Sequence, residues 1–320
     1  MPHPIRRLTL VIINRHAGRA GRLWPAVKNA LERRAVAFDA HETTGPGDAE
    51  KRTRDALRNG YTTIAVLGGD GTLSECAAGF FASPHNGDEA LAPINPEGAL
   101  AVLPAGTGND FARGLEGRGR SLDEWVERLL AGNTRSIDVL RGSVDGGAHQ
   151  FVALNAATMG IGAEVAARVA AQRNWLRRFP GKARFALAAL RSLGEWREGR
   201  VRIEIDDAEF FAAPSNLIAV ANGLYAGGGM MFAPAAQIDD GYLDVVAVGD
   251  ASRRMIAREL TRIHRGGHVV NRKVKVGRGR SVRVEALAKG EELAVEADGN
   301  FRGRLPAHFA IAPGALRMIV

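Results

Sequence analysis

One cysteine, Cys76, in 320 residues leaves no disulfide framework and no cysteine-based zinc site. It suits a reducing, cytoplasmic compartment. No apolar run approaches the ~18 residues of a membrane span. The run Leu8–Ile13 is too short for the apolar core of a signal peptide and leads into Asn14-Arg15, so it reads as a strand. No repeat recurs at a solenoid period, and there is no low-complexity tail. The P-loop pattern G-x-x-x-x-G-K-[ST] is absent, as are a strand-linked G-x-G-x-x-G and a G-x-S-x-G. An ordinary P-loop, a Rossmann dinucleotide site and a serine hydrolase are therefore unsupported.

What is present is globular: 46% hydrophobic and 24% charged residues, long enough for two domains. There are 43 basic against 35 acidic residues, a net charge of +8. That excess suits an anionic partner: nucleic acid, a membrane surface or a phosphorylated small molecule. The 39 glycines fall in clusters and point to specific tight loops.

Strands and helices alternate up to Ile137: strands at 8–14, 36–41, 62–67 and 99–103, and helices at 23–34, 49–59, 73–81 and 122–131. Such alternation makes parallel βαβ units. Beyond it, Arg141–Val144 and His149–Asn155 flank Asp145-Gly146-Gly147 as a hairpin. Short strands follow at 201–205, 210–213, 217–221, 243–248, 273–276, 282–286 and 293–297, with helices near 162–172, 182–196 and 253–265. The fold class is α/β: a nucleotide-binding unit over 1–137 and an antiparallel β-rich unit over 138–313. The apolar segment at 314–320 can pair with either.

Gly68-Gly69-Asp70-Gly71-Thr72 lies directly between a buried strand and a helix. In an open α/β sheet ligands bind there, and glycines expose N–H groups that suit phosphate. A carboxylate repels phosphate, so Asp70 makes sense as a metal holder or proton acceptor, or as a helix cap. Leu103-Pro104-Ala105-Gly106-Thr107-Gly108-Asn109-Asp110-Phe111 repeats the theme. His264 and His268 are spaced i, i+4 without a carboxylate partner and read as an exposed basic helix end. Between Arg168 and Arg202 ten basic residues interleave with Trp175, Leu176, Phe179, Phe185 and Trp196. That mixture suits an interfacial membrane element, single-stranded nucleic acid, or a solvated helix face.

Gly68–Thr72 and Leu103–Phe111 resemble the nucleotide motifs of the diacylglycerol kinase catalytic family, which includes bacterial lipid kinases and sphingosine kinases. Asn14 with Ala17-Gly18 resembles the family's N-terminal element, with Arg15 where proline is usual. Asn155–Gly162, Asn222–Gly229 and Ile238–Gly241 are similar to later family segments. The resemblance implies an NAD-kinase-like α/β domain followed by a β-sandwich, and transfer of the ATP γ-phosphoryl group to a lipid hydroxyl, diacylglycerol first. It implies ATP contacts at Asn14, Thr43, Leu67, Gly68, Gly69, Asp70, Gly71, Thr72, Leu73, Gly106, Thr107 and Asn109. It also implies Mg²⁺ at Gln237, Asp240 and Tyr242, with Gln237 and Tyr242 acting through main-chain oxygens. The implied partner is a lipid at an anionic membrane surface, with no specific nucleic acid.

One departure stands out. Where the family reads D-G-E, this chain has Asp298-Gly299-Asn300, and asparagine cannot take a proton. Asp298 is the base, Asp70 is the base, or the enzyme is impaired. A kinase of another acceptor, sphingoid or NAD-like, and an inactive nucleotide-binding, membrane-associated regulator are the competing readings.

Overall fold

The computed structural model describes residues 8–82, 91–116, 120–170, 199–288 and 293–320. The expected helix at 182–196 and most of the basic–aromatic stretch 168–202 lie outside them. The chain forms two compact units, Met1–Ile137 with Gly314–Val320, and Asp138–Pro313.

The first unit is a parallel sheet with helices between its strands. Its elements run β1 (Thr9–Ile13), α1 (Ala20–Arg33), β2 (Phe38–Glu42), α2 (Asp48–Arg58), β3 (Thr63–Gly68), α3 (Asp70–Gly79), β4 (Ala99–Pro104), α4 (Asp110–Glu116) and α5 (Leu122–Ala131). The strand order is β2-β1-β3-β4, and the C-terminal end of β15 (Ala307–Ile319) joins β4 in parallel at Met318↔Leu100. β1 and β3 are buried along their whole length, as expected of parallel strands covered on both faces. β2 is the edge strand, and Asp39 and Glu42 keep it wet. The chain leaves β1 towards β2 on one side and returns with β3 on the other. The two loops diverge there and open a crevice at the carboxyl ends of the strands.

Helix α1 starts at Ala20, earlier than the spacing alone suggests, and runs through Pro25. Burial of Val27, Ala30 and Leu31 outweighs the lost hydrogen bond. Helix α5 spans the residues expected of it. Ser121 and Glu124 form a capping box, and Gly132 closes the helix at φ +62°.

The second unit is an antiparallel β-sandwich. It holds β5 (Thr134–Val144), which enters from the first unit, then β6 (His149–Ala153), β7 (Ala156–Gly160), α6 (Ile161–Ala170), β8 (Gly199–Ile205), β9 (Ala208–Ala221), β10 (Leu243–Gly249), α7 (Arg253–Arg262), β11 (Val274–Gly279), β12 (Ser281–Ala286), β13 (Ala294–Ala297), β14 (Asn300–Arg304) and the start of β15. Its strands follow the order β14-β13-β7-β9-β8-β12-β15, with β10 and β11 branching from β9. Val201, Ile203, Val220, Val245, Val284 and Phe309 are fully buried in its core.

Residues 210–221, expected as two strands split at Pro214, form one strand, β9. Pro214 pairs with Arg200 and lies one residue beyond the end of the β10 pairing at Ser215. A missing N–H is tolerated at such a ladder end. β7 and β14 were not legible, because A-A-T-M-G and N-F-R-G-R carry no alternation. His264 and His268 are not an exposed pair. His268 is 2% exposed, and its Nε2 donates to the Phe232 carbonyl at 3.0 Å. Burial holds its pKa below the usual histidine value.

Candidate functional site

Three segments meet at the carboxyl end of the first sheet, backbone against backbone. Ala105 and Gly106 both donate their N–H to the Gly68 carbonyl at 2.9 Å. A Cβ on Gly106 would stand 2.5 Å from Gly69 Cα. Gly18, at φ +49°, lies where a Cβ would come within 2.3 Å of the Ala105 carbonyl oxygen. Arg19 donates its N–H to that same oxygen at 2.7 Å. Only glycine fits at either place, so the glycines here set how closely the loops approach.

Asn14, at the end of β1, donates from Nδ2 to Thr72 Oγ1 at 3.0 Å, joining the first loop to the second. Asn109, at φ +52°, folds its side chain back: Oδ1 accepts from Gly106 N at 2.9 Å, and Nδ2 donates to Gly106 O at 3.1 Å. Thr107 at the tip of that loop is exposed. Gly69 precedes α3 without a side chain to cap it, so the helix presents its first-turn N–H groups uncapped by that residue. Such a terminus favours an anion.

Asp70 does not cap its own helix. Its Oδ1 accepts the Phe111 N–H at 3.0 Å and so caps α4 across the crevice. Thr43 donates its N–H to the Ile13 carbonyl at 2.9 Å. Beside it, Asp48 Oδ2 gathers Thr44 N at 2.8 Å, Thr44 Oγ1 at 3.1 Å and His41 Nε2 at 3.0 Å. The Thr44 backbone bond leads the interactions that hold the Asp48 carboxyl below its ordinary range. The structure thus brings Asn14, Thr43, Gly68–Thr72, Gly106, Thr107 and Asn109 to one end of the sheet. The Leu67 and Leu73 side chains are both buried in the core, which leaves their main chain to face a ligand.

In the second unit, the turn Ala297–Asn300 joins β13 to β14, with Asp298 at φ +49° and Gly299 at φ +86°. Asp298, expected as a candidate base, lies in this turn. It is buried, and its carboxylate accepts backbone N–H groups of Leu154 at 2.7 Å, Asn155 at 3.0 Å and Ala156 at 3.2 Å. Those bonds tie the turn to the chain before β7 and make Asp298 a clamp. Two residues earlier stands a carboxyl that sequence reasoning passed over. Glu296 lies directly across from Thr158 in the β13–β7 ladder, and Thr158 Oγ1 donates to Glu296 Oε2 at 2.7 Å. Its Oε1 accepts the Gly299 N–H. Burial pushes the Glu296 carboxyl up to about 7, against the lowering by those two bonds and Arg302 and with help from Asp298. The sequence did offer a signal, a second acid on the strand leading into the turn.

Ile238–Tyr242 forms the third feature. Asp240 Oδ1 accepts Tyr242 N at 3.1 Å, and its Oδ2 is ion-paired with Arg278. The buried Asp138 accepts Gly241 N at 2.6 Å. The Asp240 carboxylate offers an ion hard oxygens at this turn, where the resemblance also implies the main chain of Gln237 and Tyr242. Asp244 is nearby, with a buried Oδ2 that lacks a hydrogen-bond partner. Such donors suit Mg²⁺. The turn also carries its own cation. Arg278 lies over the Tyr242 ring at 4.9 Å, with Nε 3.8 Å from Asp244 Oδ2. A metal at Asp240 therefore competes with Arg278. Among the described residues, no group of three or more His, Cys, Asp or Glu side chains converges as a metal cage.

An apolar cavity of about 80 Å³ runs between α6, α7 and the sheet of the second unit, walled by Val165, Leu217, Phe232, Met255, Leu260 and Ile263. Polar residues along it are turned away: Asn216 bonds to the Gly249 carbonyl, and Asn271 to Glu259.

A glycine-rich strand-end loop in an NAD-kinase-like domain, followed by a β-sandwich, is the architecture of the diacylglycerol kinase class. Residues 9–141 match the diacylglycerol kinase catalytic domain, and residues 155–320 match the YegS C-terminal NAD kinase beta sandwich-like domain. The chain belongs to this family of lipid kinases. It is 34% identical over 277 residues to "Probable lipid kinase YegS-like" of Pseudomonas aeruginosa, covering 85% of this chain and 81% of that one. It is 30% identical over 284 residues to the diacylglycerol kinase of Mycobacterium tuberculosis, covering 89% and 83%. In fold it is similar to a Bacillus anthracis diacylglycerol kinase structure (TM-score 0.66, 22% identity, 98% of this chain and 96% of that one). A more distant fold likeness is to an Archaeoglobus fulgidus NAD kinase solved with ATP (TM-score 0.50, 13% identity, 98% and 93%).

Proposed function

We propose that this kinase transfers the γ-phosphoryl group of ATP, with Mg²⁺, to the hydroxyl of a membrane lipid, diacylglycerol first. The observation that carries the lipid acceptor is the apolar cavity under α6 and α7, whose walls suit a short stretch of hydrocarbon and nothing charged. The donor side is supported by the glycine loops, whose backbone N–H groups at the start of α3 suit the triphosphate. Phosphoryl transfer needs little covalent chemistry from the protein. Positioning, and neutralisation of charge by Mg²⁺, carry most of the acceleration. A second Mg²⁺ at Gln237, Asp240 and Tyr242 would order the turn, provided Arg278 releases Asp240. No helix among the described residues is long and apolar enough to cross a membrane. Access to the lipid would then come from peripheral binding to an anionic surface, aided by the net charge of +8.

The test is transfer of labelled phosphate from γ-labelled ATP to a lipid extract, with mass-spectrometric identification of the product. Phosphatidic acid is expected. A phosphorylated sphingoid base would keep the lipid kinase and change its acceptor. Phosphorylated NAD without lipid product would overturn the reading. Asp70→Asn retains the oxygen that caps Phe111 but removes the charge that would hold Mg²⁺, so a folded variant with almost no turnover is expected.

A further inference from the structure

The excess of positive charge is not spread evenly along the chain. Residues 253–280 hold ten basic side chains and one acid, Glu259, so this stretch alone accounts for the net charge of +8. We infer that the outer face of α7, with the chain that follows it into β11, docks on an anionic phospholipid surface. The purpose of such docking rests on the lipid-kinase reading, whereas the docking itself is measured without turnover.

Helix α7 is amphipathic. Ile256 and Leu260 face inward and wall the apolar cavity, whereas Arg254, Arg258 and Thr261 repeat at i, i+4 and i+7 on the exposed side. The one acid of the helix is already engaged. Glu259 is ion-paired with Arg262 at 3.2 Å and accepts from Asn271 Nδ2 at 3.0 Å. Arg253, Arg254, Arg258 and Arg265 are exposed and make no ion pair among the described residues. Like charges four residues apart, as at Arg254 and Arg258, cost an isolated helix stability. An anionic surface turns that cost into attraction.

Past α7 the chain turns through Gly267–Val270 towards β11. Arg272, Lys273 and Lys275 are exposed there, again without an ion pair among the described residues. Val270 is 72% exposed and Val276 48% exposed, one on each side of these three cations in sequence. Val274 is buried in a cluster with Phe232 and Ile263, and the two-residue repeat of a strand puts Val276 on the same side of the sheet. Cations interleaved with protruding aliphatic side chains fit headgroups with hydrocarbon just beneath them. Single-stranded nucleic acid would call for stacking platforms, and residues 253–280 contain no Phe, Tyr or Trp. The cavity lies on the inner side of the same helix. A molecule docked by α7 therefore holds an apolar space about one helix diameter, ~10 Å, from the bilayer.

The test is co-sedimentation of the full chain with vesicles of phosphatidylcholine, alone or mixed equally with phosphatidylglycerol. Each basic residue at an anionic surface is worth about fivefold in binding. Arg254→Gln, Arg258→Gln and Arg265→Gln together should lower binding to the anionic vesicles roughly a hundredfold. Binding of the wild type should weaken as salt rises. Glutamine forms helix nearly as well as arginine, so the variant keeps its fold. Arg22→Gln, Arg33→Gln and Arg58→Gln together remove the same charge from exposed positions of the first unit and should change binding by less than about threefold. Equal losses in the two triple variants would show net charge alone at work and overturn the docking face. An α7 variant that binds like wild type overturns it too. Loss of binding to a single-stranded oligonucleotide, with vesicle binding intact, assigns the face to nucleic acid and overturns the lipid partner. On a soluble short-chain diacylglycerol the α7 variant should turn over as wild type does, and only its activity on vesicles should fall. A wild type that phosphorylates no lipid while binding stays dependent on α7 overturns the lipid-kinase reading and leaves the docking face standing.

Discussion

Replacing Asp298 by alanine should loosen the second unit before it alters any chemistry. The carboxylate accepts three buried backbone N–H groups, those of Leu154, Asn155 and Ala156. Hydrogen bonds to a charged group contribute about 1.5–3 kcal/mol each, and buried donors left unpaired cost about 1–3 kcal/mol each. Partial relaxation and water entry reduce the sum, so a loss of roughly 3–6 kcal/mol is expected, a large share of a typical stability of about 5–15 kcal/mol. Asp298→Asn keeps one acceptor oxygen but turns an NH₂ group towards a backbone donor, so it should fall between wild type and alanine. Hydrogen exchange reads this locally. Protection at 154–156 should drop at least about a hundredfold, since every 1.4 kcal/mol is a factor of ten. The β1 amides in the other unit should keep theirs. A change of less than threefold at 154–156 in Asp298→Ala would refute the clamp.

Three further outcomes follow from the geometry. Gly106→Ala would place a Cβ 2.5 Å from Gly69 Cα. It should cost about 1–3 kcal/mol of stability and weaken ATP binding about tenfold or more by calorimetry, and unchanged ATP affinity would show that the loops need no close approach. Glu296 has a folded pKa of about 7 against 4.5 for the ordinary group. Its protonated form is therefore favoured by folding, and the contribution is complete below pH 4.5 and lost as pH rises towards 7. The span is worth up to roughly 3 kcal/mol, less what solvent screens at its accessible edge. Urea titrations of Glu296→Gln should lack this decline, and parallel pH curves for the two proteins would contradict it. Arg278→Ala frees Asp240, so Mg²⁺ should raise its melting temperature by several degrees more than that of wild type, at concentrations well above Kd. Equal shifts in both would mean that Arg278 does not compete with the ion.

The first unit was legible because each of its signals is local. Strand-length apolar runs and the helical spacings between them need only neighbours in sequence. The glycine loops were legible for the same reason: strand, glycines and helix follow one another along the chain. What escaped depends on distant partners. Asp70 caps a helix 41 residues away, and Asp298 clamps backbone more than 140 residues earlier. Neither separation leaves a spacing to read. Glu296 was passed over because strand position alone does not tell a desolvated acid from a solvated one. Pro214 misled because a proline in a strand is informative only once the end of each neighbouring ladder is known.

The parallel sheet that carries the glycine loops takes a strand from the far end of the sequence. Met318 lies beside Leu100, Val320 donates its N–H to the Asn133 carbonyl at 3.0 Å, and Arg317 reaches Glu97 and Thr134. During synthesis β4 therefore emerges with one edge unpaired, and its partner follows only after the whole sandwich has been made. The kinase half is thus closed last by a segment that belongs to it in space and not in time. Until then its open edge is the point on which a nascent chain depends for protection from pairing with its neighbours.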